Sequence, residues 1–202
     1  MLTEKQIEDN KVEFLNLIQQ ITRENSNIEG LIKKLNSSDF FTAPASTTYH
    51  SAYPGGLCDH SLNVYRNLKL LNEIKNLNLS NDSIIITALL HDISKMNFYE
   101  IAERNVKDEN GQWTKVPFIK TRDAKDRFIY AGHGANSEYI AGRFIPLTLA
   151  ESVAIINHMG GKDIYNGATS DANISEIFNR YPLALYLHLA DMMSTFGEER
   201  IV

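Results

Sequence analysis

The chain has 202 residues, 43% hydrophobic and 22% charged, which is ample apolar material for a core and too much for a disordered chain. Its 20 Lys and Arg against 25 Asp and Glu give a net charge of −5, which excludes a global basic footprint for nucleic acid but not a local basic groove. The single cysteine, Cys58, excludes an internal disulfide and fits a reducing compartment.

The opening residues, MLTEKQIEDNKVEFL, are amphipathic and acidic, without the basic and apolar regions of a secretory signal. The most apolar stretches, residues 83–90 and 183–190, are too short to span a bilayer, so a soluble, cytoplasmic protein is expected. Residues 3–21 space Ile7, Phe14, Leu17, Ile18 and Ile21 at near-helical intervals, with Thr3 and Gln6 forming a capping pair. An amphipathic helix must bury its apolar stripe, either in its own domain or in a homo-oligomer. A second short helix is predicted over 28–35, and a loop over 39–51. Pro54-Gly55-Gly56 closes that loop and opens a helix over 57–72. Asn81-Asp82-Ser83 offers caps for a helix over 84–91.

Residues 98–107 and 112–120 are rich in β-formers and flank Asn110-Gly111, which predicts a β-hairpin inserted among helices. After a polar stretch containing Arg122, Lys125 and Arg127, helical patterns return over 135–144, 148–157, 174–180 and 183–196. A Gly-, Asn- and Asp-rich loop over 160–171 lies among them. The modest positive cluster is either solvated surface or a rim that attracts phosphate. The reading is a mainly α fold with one hairpin.

The chemistry concentrates on histidines 50, 60, 91, 133, 158 and 188. His60 follows a Gly-Gly pair at a helix start, and His91-Asp92 ends an apolar helix with Lys95 one turn on. His133 lies between Gly132 and Gly134, His158 ends another helix, and Asp191 follows His188 by one turn. Adjacent residues on a helix point about 100° apart, so His91 and Asp92 reach one ion only where the helix ends. A carboxylate can also bridge two ions. A nitrogen and oxygen cluster of this kind suits a divalent Mn, Fe, Co, Ni or Zn ion rather than the all-oxygen cage of Mg or Ca.

Gly55-Gly56-Leu57-x-x-His60, His91-Asp92-x-x-Lys95, Gly132-His133, His158 and His188-x-x-Asp191, in this order, resemble the HD-domain superfamily of metal-dependent phosphohydrolases. The resemblance spans about residues 49–196 and includes the two-metal branch, with the HD modules of certain 3′→5′ exoribonucleases. It implies an HD-domain helical bundle over 49–202, preceded by a helical extension over 1–48. It also implies that His60, His91, Asp92 and Asp191 hold a first metal, and that Asp92 bridges to a second held by His133 and His158. Two features depart from that branch: Met159 stands where several two-metal relatives carry another histidine, and residues 1–48 look helical rather than OB-like. One or two divalent transition-metal ions are therefore expected.

On this resemblance the chain hydrolyses a nucleotide or related small phosphate ester by metal-activated water. The alternatives are a 3′→5′ nuclease or phosphodiesterase on short single-stranded nucleic acid, and a nucleotide-binding regulatory module with little catalysis. Asp92, Lys95 and His133 are the candidate catalytic residues; Lys95 is placed to reach a phosphate oxygen, and His133 or His158 is free to act as a base if one metal binds. His50 and Tyr49 are candidates for substrate binding beside Lys95. His188 reads as a ligand, a supporting partner of one, or a core histidine.

Overall fold

A computed structural model of the chain describes residues 1–48, 50–122, 132–160 and 174–199. The elements run α1 (Glu4–Ile18), α2 (Ile28–Asn36), α3 (Gly56–Lys75), α4 (Asn81–Leu90), a 3₁₀ turn (Ile93–Lys95), β1 (Tyr99–Lys107) and β2 (Trp113–Thr121). They continue with α5 (His133–Gly142), α6 (Leu149–Ile156), α7 (Ile174–Arg180), α8 (Pro182–Met192) and a π-helical turn (Met193–Glu198). The fold is mainly α with an inserted hairpin, as the sequence pattern predicts.

The capping box of α1 forms: Thr3 accepts the backbone N–H of Gln6, and the Gln6 side chain accepts that of Thr3. The helix ends at Ile18, short of the predicted boundary. The chain turns there, and the Thr22 N–H reaches Asp82 Oδ1 at 3.1 Å. Asp82 is thus engaged with the N-terminal segment, and Ser80 caps α4 instead, accepting the Ser83 N–H. Phe14, Leu17, Ile18, Leu31, Leu35 and Phe40 belong to the same core as α3, α4 and α8. The apolar stripe of α1 is covered from within the chain.

Helix α4 is the centre of the bundle. Residues Ile84 to Leu90 are all buried, the mark of a helix enclosed on every side. Helices α1, α3, α5 and α6 pack around it. Its C-terminal end, carrying His91 and Asp92, therefore opens inside the protein rather than at the surface.

The hairpin pairs antiparallel from Tyr99 with Thr121 to Lys107 with Trp113. Its connection is longer than a two-residue turn. Asp108 Oδ1 accepts the N–H groups of Asn110 and Gln112, and Gly111 takes a positive φ of 78°. Tyr99 is buried at the base, whereas Trp113 near the tip is 66% exposed, with the Lys107 ammonium 5.3 Å from its ring centre. Among the described residues no helix is long and apolar enough to cross a membrane.

The last helix differs from the predicted single run over 183–196. Regular α-geometry stops at Met192, and the following turn is π-helical, with the Glu199 N–H bonding to Ser194 O. That wider turn brings residues five apart in sequence onto one face.

Candidate metal centre

Five helices deliver imidazoles or carboxylates to one buried point. His60 comes from α3, His91 and Asp92 from the end of α4, His133 from the start of α5, His158 from just beyond α6, and Asp191 from α8. His60, His91, Asp92, His158 and Asp191 are all buried. The convergence depends on two close backbone approaches. A Cβ on Gly56 would lie 2.0 Å from Ser51 O, so the loop over 42–55 can lie against the start of α3 only with glycine there. A Cβ on Gly134 would lie 2.6 Å from Ile156 O, so glycine lets α5 press onto the end of α6 and sets His133 against His158.

His91 caps α4, and Asp92 departs from helical geometry at φ −113° and ψ 13°. The neighbouring side chains can therefore turn toward the same centre. Asp92 Oδ2 lies 3.4 Å from His91 Nε2 and 3.7 Å from His60 Nε2. Asp92 Oδ1, facing the other way, lies 3.3 Å from His133 Nε2 and 3.5 Å from His158 Nε2. The Nε2 atoms of His60 and His91 are 3.2 Å apart, and those of His133 and His158 are 3.1 Å apart. Asp191 Oδ1 completes the first group at 3.2 Å from His60 Nε2.

Tautomers follow from the partners on the far sides of the rings. His91 Nδ1 donates to Ala88 O at 2.8 Å, and His158 Nδ1 donates to Ile155 O at 2.7 Å. A carbonyl can only accept, so each Nδ1 carries a proton and the lone pair available to an ion is that of the inward-turned Nε2. Those lone pairs face a carboxylate. Asp92 Oδ1 is itself buried without a hydrogen bond. Lone pairs set against anionic oxygen in a dry site repel one another unless a cation lies between them. The donor set thus fits a divalent transition metal in chemistry as well as proximity. His60, His91 and Asp191 form one group that could hold an ion, and His91, Asp92 and His158 form another.

Burial alone would raise the Asp92 carboxyl, but Lys95 and His91 outweigh it and hold the group well below the usual carboxylate range. Burial would likewise lower His60, yet Glu199 and Asp191 outweigh it and raise the ring to about 10, so an ion at this point would take the place of the proton on Nε2. The Lys95 ammonium stays charged against burial because it lies 2.7 Å from Asp92 Oδ2. Its first partner is therefore the central carboxylate.

His50 reaches the edge of the centre, its ring 4.9 Å from that of His60. Its Nε2 is buried without a hydrogen bond, and burial followed by the charge of His60 lowers the ring to about 4. It is a neutral polar group at the rim. His188 donates through Nδ1 to His158 O at 2.6 Å and stacks on Phe178, so it supports the segment bearing His158. Tyr49, Lys125, Arg127 and residues 161–171 of the predicted loop lie outside the described residues.

Sequence reasoning missed Glu199. Its carboxylate lies 3.0 Å from His60 Nδ1, accepts from Ser51 Oγ at 2.7 Å and Asn63 Nδ2 at 3.2 Å, and also bonds Ser194 Oγ. Nothing in a helical or strand period marks it. The signal is the spacing of five from Ser194, which places both residues on one face only in a π turn.

The family model for the HD domain matches residues 57–193. No curated protein and no solved structure gives a significant match.

Proposed function

The chain belongs to the HD domain family of metal-dependent phosphohydrolases, and from that premise we propose that it hydrolyses a nucleotide or a related small phosphate ester. The observation that carries the reading is the two-sided setting of Asp92. Each of its oxygens faces a pair of imidazoles from different helices, and Oδ1 is buried without a hydrogen bond.

His60, His91 and Asp191 would hold one ion, His133 and His158 a second, with Asp92 shared between them. When bound, divalent ions supply Lewis-acid charge that acidifies a water and neutralises phosphoryl oxygens as the ester breaks. The chain's own groups do the rest. Lys95 keeps a fixed positive charge beside Asp92, where it offsets the charge of an entering phosphate. His50 presents a neutral, unbonded nitrogen at the rim for a substrate hydroxyl or base edge. The His133 side chain is 15% exposed, so this imidazole stands at the mouth and can take a proton from water if only the first group is loaded. The dry walls made by α3, α4 and α8 strengthen each of these interactions.

Metal analysis of protein purified without added chelator or metal tests the reading, followed by a panel of phosphate esters with Mn, Ni and Co. Stoichiometric metal and turnover of a nucleotide or small ester are expected. Metal-free protein that still hydrolyses its ester, or metal-loaded protein that turns over no phosphate ester, would overturn it.

A further inference from the structure

We infer that Glu199 is a positioning residue: it holds His60 as the Nδ1-protonated tautomer, so that Nε2 offers its lone pair to the same point as His91 and Asp191. The inference rests on the metal reading above and deepens it.

The reason lies in where the histidines stand. His91 and His158 sit at helix ends and anchor Nδ1 on the carbonyl three residues back. His60 lies inside α3, where the corresponding carbonyl, Leu57 O, accepts the Ser61 hydroxyl at 2.9 Å in addition to its helical role. No local carbonyl is left to orient the ring. A carboxylate from another element takes that place, with Oε1 and Oε2 at 3.1 and 3.0 Å from Nδ1. Carboxylates behind metal-bound histidines fix the tautomer and make the ring a better donor.

Glu199 is itself fixed from several directions. Ser51 donates to it from the loop before α3, Asn63 from the next turn of α3, and Ser194 from the π turn. The carboxylate is therefore supplied with neutral donors, and His60 Nδ1–H is the contact through which it acts on the centre. Ser51, at φ +43° and fully buried, is held in a conformation that side chains rarely adopt, and its carbonyl is the atom pressed against Gly56. The close-packed start of α3 and the orientation of His60 thus share one hydrogen-bonded cluster.

The test uses the intact chain and Zn²⁺ in competition with a chromogenic chelator. Glu199→Gln is expected to bind zinc about 10–100-fold more weakly than wild type. Glu198→Gln removes the same charge from the neighbouring exposed position and is expected to bind as wild type. Equal affinity of wild type and Glu199→Gln overturns the inference and leaves the metal reading standing. No zinc uptake by wild type overturns both. If Glu199→Gln does not fold, long-range ¹H–¹⁵N spectra of zinc-loaded wild type decide the matter. They are expected to show His60 protonated at Nδ1 and coordinated through Nε2; coordination through Nδ1, or a proton on Nε2, overturns the inference.

Discussion

Two buried carboxylates invite comparison, Glu151 on α6 and Asp92 after α4. Glu151 receives a two-pronged ion pair from Arg23, at 2.6 and 2.8 Å, together with the Ser83 hydroxyl and the Thr148 N–H of its capping box. Every oxygen has donors, and the group ties the N-terminal segment to α4 and α6. Asp92 has one ammonium on one oxygen, an unbonded second oxygen, and imidazole nitrogens gathered at distances too long or too poorly aimed for hydrogen bonds. Burial is equal, but satisfaction is not. A carboxylate that the chain itself completes serves the fold, and one that it surrounds with further electron-pair donors is built for a cation.

The largest expected effect separates the two most sharply. Asp92→Ala should abolish metal uptake and lower hydrolysis about 10³-fold or more, because the metal chemistry supplies several kcal/mol of barrier reduction. Glu151→Gln should retain stoichiometric metal by elemental analysis. If Asp92→Ala keeps its metal and its rate, the central carboxylate is not part of the site.

The next effect belongs to the other cluster. Arg23→Ala leaves Glu151 charged and buried with its ion-pair partner gone, and should cost about 3 kcal/mol in denaturant unfolding. Replacing both partners together, Arg23→Met with Glu151→Leu, should recover much of that loss. A double variant no better than the single one would mean that packing, rather than charge, holds this corner.

The smallest effect is a pH dependence. Burial alone would raise the Glu151 carboxyl, but its bonds to Arg23, Thr148 and Ser83 outweigh this and hold it below its ordinary 4.5. A carboxylate depressed in the folded state stabilises the fold fully above its unfolded pKa and loses that contribution as pH falls through the folded one. The stability gap between wild type and Glu151→Gln, measured in urea, should therefore be constant near neutrality and narrow below about pH 4.5. A gap that holds steady to pH 3 would place the contribution elsewhere.

Much of the candidate centre is legible in the chain because its side chains sit where periodic structure is punctuated. His91-Asp92 ends an apolar run, His133 follows a glycine at a helix start, and His158 closes another helix, so local signals and the converging positions coincide. What was illegible depends on contacts between elements. Ser80 rather than Asn81, Asp82 or Ser83 caps α4 because Asp82 is turned toward Thr22, a partner 60 residues away. The break after Met192 has no marker such as proline, and the packing of the turn against Asn63 and Asn67 accompanies it. Glu199 was hidden for the same reason, since its neighbour on the helix face is five residues back only once the turn has widened. The one-turn spacing places Lys95 beside Asp92, and its buried ammonium bonds Asp92 Oδ2, a contact that spacing alone does not show.

Trp113, the chain's one tryptophan, stands at the exposed end of the hairpin. Intrinsic fluorescence therefore reports on an appendage and not on the bundle. Its emission should already be red-shifted and open to acrylamide quenching in the native protein, so a melt followed at this wavelength would show little change as the helices come apart. The same indole is in turn a built-in beacon for anything that settles against the hairpin.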